Sequence, residues 1–184
     1  MTPYTLKVEK RELTGTGKLN ALRAQGYLPA NLYGPAVEGN VNLQIKASDL
    51  RNLLAGVETD SFLVNLDMEG KSILALVKDV QRNFLTDTTT HVDFIAVTPD
   101  TVVRTKVFVK LNGTPVGVAM GGQVNQIIYE IPVRCAVKDI PSFVEADITN
   151  VKLGESLRLS QVTLPENVTT PFNGTVVLVS VVKP

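Results

Sequence analysis

Alternation of apolar and polar residues runs through the first half of the chain and predicts strands. Leu6 and Val8 share one face of TLKVEKRE, and VNLQI repeats the same two-residue pattern. Strand side chains point alternately to opposite sides, so each pattern predicts a strand with one buried face. SFLVNLDMEGKSILALVKDV predicts a hairpin that turns at Glu69-Gly70, and HVDFIAV predicts the strand that closes this half.

Two short helices are predicted between these strands. TGTGKLNALRAQG opens on glycines and carries leucines at helical spacing, which indicates a loop and then a helix that ends at Gly26. The second helix is expected to begin at Ser48 or Asp49 and to end at Gly56. Each helix is short enough to cover only a small part of a sheet.

The second half changes character at the turn-forming junction Thr98-Pro99-Asp100, where we place a domain boundary between residues 1–98 and 99–184. Beyond it VVRTKVFVKL, QIIYEIPVRCAV, FVEADI and GTVVLVSVV predict strands, and no convincing helix is predicted. Pro132 inside the second run indicates an edge position or a bulge. The fold class is therefore mainly β, with a C-terminal all-β sandwich or open barrel.

Composition excludes disorder and gives no sign of a membrane protein. Hydrophobic residues make up 44% of the chain, charged residues 20%, and the mean hydropathy is +0.14. No apolar run has membrane-spanning length, and the first ten residues lack a signal-peptide core. We expect a cytoplasmic protein. The single cysteine, Cys135, lies in the apolar run IPVRCAV, where a buried inert thiol is favoured over a nucleophile.

The formal net charge is zero, from 18 basic and 18 acidic side chains, which argues against a protein that binds nucleic acid through bulk charge. The first 30 residues are locally basic at 5 − 2 = +3, because they hold Lys7, Lys10, Arg11, Lys18 and Arg23 against Glu9 and Glu12. Any binding to RNA must therefore be local.

The only histidine, His91, lies two residues before Asp93, so a strand places both on one face and Val92 and Phe94 on the other. Catalysis would need a nucleophile, and the chain has no G-x-S-x-G elbow. One histidine and one cysteine in separate predicted domains cannot form a tetrahedral metal site. On spacing alone, a structural surface pair is favoured over a recognition pair, and both over catalysis or metal binding.

Two glycine-rich segments raise the question of phosphate binding. GVAMGGQVNQ, residues 117–126, lacks the Gly-Lys-Ser/Thr of a phosphate loop, and a predicted strand follows it, so a mobile loop is expected. TGTGK, residues 14–18, is equally weak by itself. It gains from its context, because it lies near Arg11 and precedes a helix whose start can face a phosphate.

Four blocks of sequence together carry a family resemblance. RELTGTGK, YLPANLYG, VKDVQR and HVDF occur in this order between Arg11 and Phe94. The set resembles the N-terminal domain of the CTC-type bacterial ribosomal proteins, the general-stress-protein family that binds 5S ribosomal RNA in the large subunit. The remainder, notably DITNVKLGESLRLSQVTLP and the Gly121-Gly122 pair, resembles the C-terminal β domain of that family. The likeness covers nearly the whole chain.

The resemblance implies a six-stranded β-barrel with short helices that docks in the minor groove of an irregular internal-loop helix of 5S RNA. His91, Asp93 and Gln81 would hydrogen-bond to the RNA, while Arg11 and Lys78 would neutralise phosphates. Tyr33 would stack or hydrogen-bond, unless it is a barrel-core residue. The implied RNA-binding residues are Arg11, Thr16, Lys18, Asn20, Arg23, Tyr33, Lys78, Gln81, His91 and Asp93.

The chain departs from the family pattern at basic positions. Thr16 stands where the family typically has lysine, and Asn20 and Ala21 stand where it often has arginines. Only Arg23 remains at the end of that run, with Lys18 displaced. These departures predict fewer phosphate contacts and weaker binding to naked RNA.

The resemblance thus implies a structural component of the large ribosomal subunit, without catalytic activity, cofactor or metal. Its expected partners are 5S ribosomal RNA and the neighbouring ribosomal proteins and RNA, with one copy in each ribosome. A stress-related protein-interaction adaptor with weakened RNA binding is the alternative from another class. A small hydrolase using His91 is a further alternative, which lacks a recognisable nucleophile.

Overall fold

The computed structural model describes residues 4–12, 15–57, 61–68 and 70–183 of the chain. The chain divides into two compact units, Met1–Thr101 and Val102–Pro184. Both consist largely of strands, which confirms the mainly β fold class expected from the sequence. Independent folding of residues 1–98 and 99–184 stays a prediction.

Within the described residues, the first unit contains seven strands and two helices. In chain order they are β1 (Tyr4–Lys7), β2 (Glu9–Lys10), α1 (Thr16–Ala24), β3 (Tyr27–Tyr33), β4 (Val41–Lys46), α2 (Ala47–Ala55), β5 (Leu63–Met68), β6 (Lys71–Asn83) and β7 (Thr88–Ala96). The predicted hairpin is confirmed by the antiparallel pairing of β5 with β6, although Glu69 of its turn lies outside the described residues. The predicted closing strand HVDFIAV is β7, which begins three residues earlier, at Thr88.

The seven strands form a sheet that nearly closes into a barrel. Their order is β1-β5-β6-β7-β3-β4-β2. The two outermost strands, β1 and β2, are separated only by Val8, whose N–H donates to Asp67 O at 3.0 Å. One N-terminal segment therefore pairs with β5 on one side and with β4 on the other. Counted as a single bent strand, it makes this sheet the six-stranded barrel that the resemblance implies.

The barrel interior is filled by the apolar faces of its strands and by one helix. The alternating residues of the predicted strands supply it, and its members include Leu6, Val8, Leu43, Ile45, Leu50, Leu53, Val92 and Phe94. Phe94 is fully buried, and burying a side chain of this size contributes about 1.5–3 kcal/mol. The core thereby fixes which side of each strand faces solvent.

Both helices end where the sequence predicts. The chain leaves α1 through Gly26, whose φ of 83° is a left-handed conformation that glycine adopts without a steric cost. Gly56 follows the last residue of α2, and α2 begins at Ala47, one residue before the predicted start. Leu50 and Leu53 of α2 are buried against the barrel.

The second unit holds six strands in two three-stranded sheets, as far as the described residues show. They are β8 (Val102–Asn112), β9 (Gln123–Gln126), β10 (Glu130–Ala136), β11 (Phe143–Asp147), β12 (Ser156–Arg158) and β13 (Val177–Val182), with a four-residue helix α3 (Val116–Ala119). The sheet orders are β10-β8-β11 and β12-β13-β9. Pro132 lies on β10 at the edge of its sheet, as predicted.

Two predictions for this unit are wrong. Residues 117–126 are not a mobile loop, because they contain most of α3 and all of β9. Gly117 is buried, and a Cβ atom there would lie 2.7 Å from Leu153 N, so this glycine serves close packing. QIIYEIPVRCAV is not one long strand either. It is interrupted between Gln126 and Glu130, where the N–H groups of Ile127 and Ile128 both donate to Leu178 O.

Candidate nucleic-acid interface

The outer faces of three neighbouring strands bring several predicted site residues together. The pairing of β3 with β7 places Asn31 opposite Asp93. The pairing of β6 with β7 places Gln81 opposite His91 and Asp79 opposite Asp93. Alternate residues of the same strands point into the core. We call the outward group the polar strand surface, and its members are Asn31, Tyr33, Asp79, Gln81, His91 and Asp93.

His91 and Asp93 lie on one face of β7, as their spacing predicts. His91 Nδ1 is 3.4 Å from Asp93 Oδ1, and the two side chains are 21% and 26% exposed. The two atoms are close, but Nδ1 has no hydrogen-bond partner among the described residues. Asp93 therefore does not orient the imidazole as the carboxylate of a catalytic triad does.

Two buried atoms of the polar strand surface lack a hydrogen-bond partner in the part of the chain that the structure describes. They are Asn31 Oδ1 and His91 Nδ1. Leaving such an atom unpaired costs about 1–3 kcal/mol, and most buried polar groups in proteins are paired. Both atoms are covered in the free protein, so a bound molecule can use this hydrogen-bonding capacity only after the side chain has rotated.

Tyr33 lies half-buried on the outer side of β3 rather than in the barrel core. Burial raises the pKa of its hydroxyl, and the carboxylates of Asp93 and Asp79 raise this pKa further. The hydroxyl consequently stays protonated at neutral pH and is available as a hydrogen-bond donor.

The polar strand surface itself is acidic, since it contains Asp79 and Asp93 but no lysine or arginine. These two residues lie directly opposite each other on β6 and β7, an arrangement of like charges that sheets normally disfavour. Carboxylates repel phosphate groups and accept hydrogen bonds from amino and hydroxyl groups. This surface is therefore suited to the donors of a ligand, and phosphate contacts must come from its surroundings.

Lys78 and Arg11 differ in their access to such phosphates. Lys78 is exposed and lies at a β-bulge, where the register between β6 and β7 shifts between Val77 and Asp79. The extra residue of a bulge is turned away from the regular pattern of the strand. Arg11 is only 8% exposed, and its Nε donates to Leu43 O at 3.4 Å. This burial limits the access of Arg11 to a phosphate, and the phosphate contact expected of Arg11 stays a prediction.

Arg23 links helix α1 to the strand that carries His91. Its Nε and one terminal nitrogen both donate to Thr90 O at 3.1 Å, and its other terminal nitrogen donates to Asn20 Oδ1 at 3.0 Å. The guanidinium is thus fixed next to the polar strand surface, with two of its five N–H groups not used in these bonds. Asn20 contributes by orienting Arg23.

The start of α1 contributes exposed residues without a described contact to the polar strand surface. Thr16 is the first residue of α1, and Lys18 is the third, within the first turn. Gly15 precedes the helix with a φ of 103°, which favours glycine. Thr14 of the TGTGK segment lies outside the described residues.

The structure therefore gathers Tyr33, Gln81, His91 and Asp93, with Arg23 and Lys78 next to them. The sequence analysis missed Asn31 and Asp79. Both carry a recognisable signal. Asn31 alternates with the apolar residues of YLPANLY and so shares the face of Tyr33, and Asp79 lies two residues before Gln81.

The described part of the chain gives little support for a reactive cysteine, a metal site or a membrane-spanning helix. Cys135 is 3% exposed, and burial raises the pKa of its thiol, with a smaller contribution from Asp139. No group of three or more His, Cys, Asp or Glu residues suited to a metal ion occurs there. Among the described helices, none has the length and apolar character needed to span a membrane.

The two units match two known protein families. Residues 6–94 match the sequence model of the Ribosomal L25p family. Residues 102–184 match that of the C-terminal domain of ribosomal protein TL5. The matches coincide closely with the two compact units of the structure.

The whole chain is similar to bacterial proteins named large ribosomal subunit protein bL25. The protein of Akkermansia muciniphila is 44% identical over 183 residues, which cover 100% of this chain and 90% of that protein. The protein of Desulfatibacillum aliphaticivorans is 33% identical, with 100% and 85% covered. That of Geobacter sulfurreducens is also 33% identical, with 91% and 87% covered.

Proposed function

The chain belongs to the bL25 family of large-subunit ribosomal proteins, and on that basis we propose that its first unit binds 5S ribosomal RNA. Like its relatives, it is a structural component of the bacterial large ribosomal subunit and not an enzyme. The proposal concerns which RNA it binds and through which residues. It places the contact on the polar strand surface.

The observation that carries this assignment is the cluster of outward hydrogen-bonding side chains that the register of β3, β6 and β7 brings together on one acidic face. Two buried atoms of this face, Asn31 Oδ1 and His91 Nδ1, also have no hydrogen-bond partner among the described residues, and rotation of either side chain would let a ligand complete its hydrogen bond.

The acidity of this face favours the minor groove of RNA over its phosphates. The shallow minor groove of A-form RNA presents 2′-hydroxyl groups and base edges, and guanine adds an amino donor there. Asp93 and Asp79 accept hydrogen bonds from such donors. Gln81 and the Tyr33 hydroxyl can also donate to acceptor atoms of the bases. An irregular internal loop widens the choice of exposed edges.

Phosphate contacts come from the border of the surface. We assign them to Lys78 at the bulge, to the remaining N–H groups of Arg23 and to Lys18 of α1. Few such contacts agree with the zero net charge of the chain. Binding is therefore specific in its hydrogen bonds and modest in its electrostatic component.

The second unit is assigned to other ribosomal surfaces in this proposal. All members of the polar strand surface lie in the first unit. Neighbouring ribosomal proteins and ribosomal RNA are its expected partners. The protein acts as one copy per ribosome in the bacterial cytoplasm.

Substitution of Asp93 by alanine tests the proposal. Asp93→Ala should weaken binding to a 5S internal-loop fragment by about 1–3 kcal/mol, or about five- to 150-fold, which is the scale of a hydrogen bond to a charged group. Glu145→Ala is the matched control, because Glu145 is an exposed carboxylate on strand β11 of the second unit. A filter-binding titration measures both.

Equal affinities of Asp93→Ala and wild type would contradict this site. Absence of binding by the wild-type chain to 5S RNA, combined with retention on salt-washed large subunits, would favour the alternative of a protein-interaction adaptor. Similar losses in Asp93→Ala and Glu145→Ala would show a nonspecific effect of substitution and not the loss of a contact on the polar strand surface, because removal of a carboxylate through net charge alone should strengthen binding to RNA.

A further inference from the structure

A cleft of about 550 Å³ opens beside the polar strand surface and brings three arginines together. We call it the arginine cleft. Its walls come from the end of α1, the start of β3, helix α2 and the arms of the β6–β7 hairpin. Its lining includes four charged residues, Arg23, Arg51, Arg82 and Asp87, and two leucines, Leu28 and Leu54.

The charge of the arginine cleft contrasts with that of the whole chain. Three guanidinium groups face one carboxylate, which gives 3 − 1 = +2 in a chain of zero net charge. Arg51 projects from an exposed position of α2 and makes no ion pair with a described residue. Arg23 is held in place by Thr90 O. Two of the three cations are therefore available in a partly fixed arrangement.

The uncharged lining of the cleft narrows the class of ligand. Leu28, Leu54 and the alanines of α2 form an apolar wall, and Thr88, Thr89 and Thr90 line the hairpin side. Guanidinium groups bind phosphate through paired hydrogen bonds. An apolar wall of low dielectric constant strengthens the electrostatic attraction between the guanidinium groups and the phosphate. Threonine hydroxyls and an apolar platform suit a ribose and the face of a base. A phosphodiester segment of RNA uses all three features.

The arginine cleft is continuous with the polar strand surface along the hairpin. Gln81 and His91 form one cross-strand pair on the polar strand surface, and the next pair, Arg82 and Thr89, lines the cleft. The register shifts between these two pairs, as at a β-bulge. One RNA molecule can therefore contact both places.

We infer that the arginine cleft binds a phosphodiester segment of the same RNA whose internal loop contacts the polar strand surface. This inference rests on the proposed function and adds a second point of contact. The contact depends on phosphate and is sequence-independent, in contrast to the hydrogen bonds of Asp93 and His91. It also compensates in part for the basic residues missing at Thr16 and Asn20.

The test is Arg51→Gln in the full-length chain, measured against an intact 5S rRNA transcript over a range of salt concentrations. Glutamine favours helix, so α2 is retained. Loss of one phosphate contact should reduce the slope of log affinity against log salt by about 0.7–0.9 and lower the affinity about five- to eightfold near 0.1 M salt. Lys71→Gln is the control, because Lys71 is exposed on β6 roughly 35 Å along the strand from Arg82.

A reduced slope for Arg51→Gln with an unchanged slope for Lys71→Gln supports the inference. Equal slopes for the two variants overturn it, even if Asp93→Ala weakens binding as proposed. If Arg51→Gln reduces the slope while Asp93→Ala has no effect, RNA binding by the arginine cleft is supported and the proposed site on the polar strand surface is contradicted. The two claims therefore fail separately.

Binding of polyglutamate to the wild type and to Arg51→Gln tests whether the ligand of the arginine cleft is an acidic protein segment instead of RNA. If Arg51→Gln loses affinity for polyglutamate but keeps the full affinity and salt slope for 5S rRNA, the arginine cleft binds acidic protein and the inference is wrong.

The double variant Arg51→Gln/Asp93→Ala should lose binding free energy equal to the sum of the two single losses, because separate contacts are additive.

Discussion

Replacement of Asn31 by leucine should stabilise the free protein and weaken its binding to RNA. Asn31 Oδ1 is buried without a partner among the described residues, which costs about 1–3 kcal/mol. Leucine has nearly the same shape and removes that cost, and the higher strand preference of apolar side chains adds up to about 1 kcal/mol. The loss of one neutral hydrogen bond to RNA should weaken binding about two- to tenfold.

Asn42→Leu separates these two contributions to stability. Asn42 lies directly opposite Asn31 on β4 and is also half-buried, but it has no buried unpaired atom. The control therefore reports strand preference and added apolar surface. The difference between the two variants isolates the unpaired oxygen, and Asn31→Leu should exceed Asn42→Leu by about 1–3 kcal/mol in the free energy of unfolding.

Urea titration followed by amide NMR signals of the first unit is the appropriate assay, because two units need not unfold together. Filter binding to a 5S internal-loop fragment supplies the affinity of each variant. The reasoning is refuted if Asn31→Leu gains no more stability than Asn42→Leu, or if it gains stability and binds RNA as tightly as the wild type.

Three further predictions follow from the same surfaces. The slope of log affinity against log salt should correspond to roughly two to four phosphate contacts, and Thr16→Lys should steepen it; a steep wild-type slope would reveal a missed basic surface. In a gel shift, a fragment of residues 1–98 should keep most of the affinity for 5S RNA, whereas residues 99–184 should bind it poorly; the opposite result would move the site to the second unit. Since burial and two carboxylates raise the pKa of Tyr33, the folded state holds this proton more tightly than the unfolded state. Its stabilising contribution is complete below pH about 10 and is lost as the pH rises through the raised value, so Tyr33→Phe should lessen the alkaline loss of stability measured by urea titration.

Much of the polar strand surface could be predicted from the two-residue period of strands. The period places His91 with Asp93, and the same rule applied to YLPANLY places Asn31 with Tyr33. Even the bulge has a signal in the sequence. Val77 and Val80 are three residues apart, which is incompatible with regular alternation on one face and indicates one extra residue.

The surroundings of this surface could not be predicted, because they depend on contacts between distant parts of the chain. Arg23 reaches Thr90 across 67 residues, and Arg11 reaches Leu43 across 32. Neither partner is visible in a local pattern, so the sequence implies RNA contacts for both arginines but not these contacts with the backbone of the protein itself. The helix α3 was missed for another reason, since four residues are too few for a helical period to be recognised.

The most direct test of the central claim is an NMR titration of the full-length chain with a 5S internal-loop RNA fragment. The account predicts that the largest changes in backbone and side-chain signals occur at Asn31, Tyr33, Gln81, His91 and Asp93, with little change in residues 102–184. Changes confined to residues 102–184, or spread over the exposed lysines without a maximum on the polar strand surface, would contradict it.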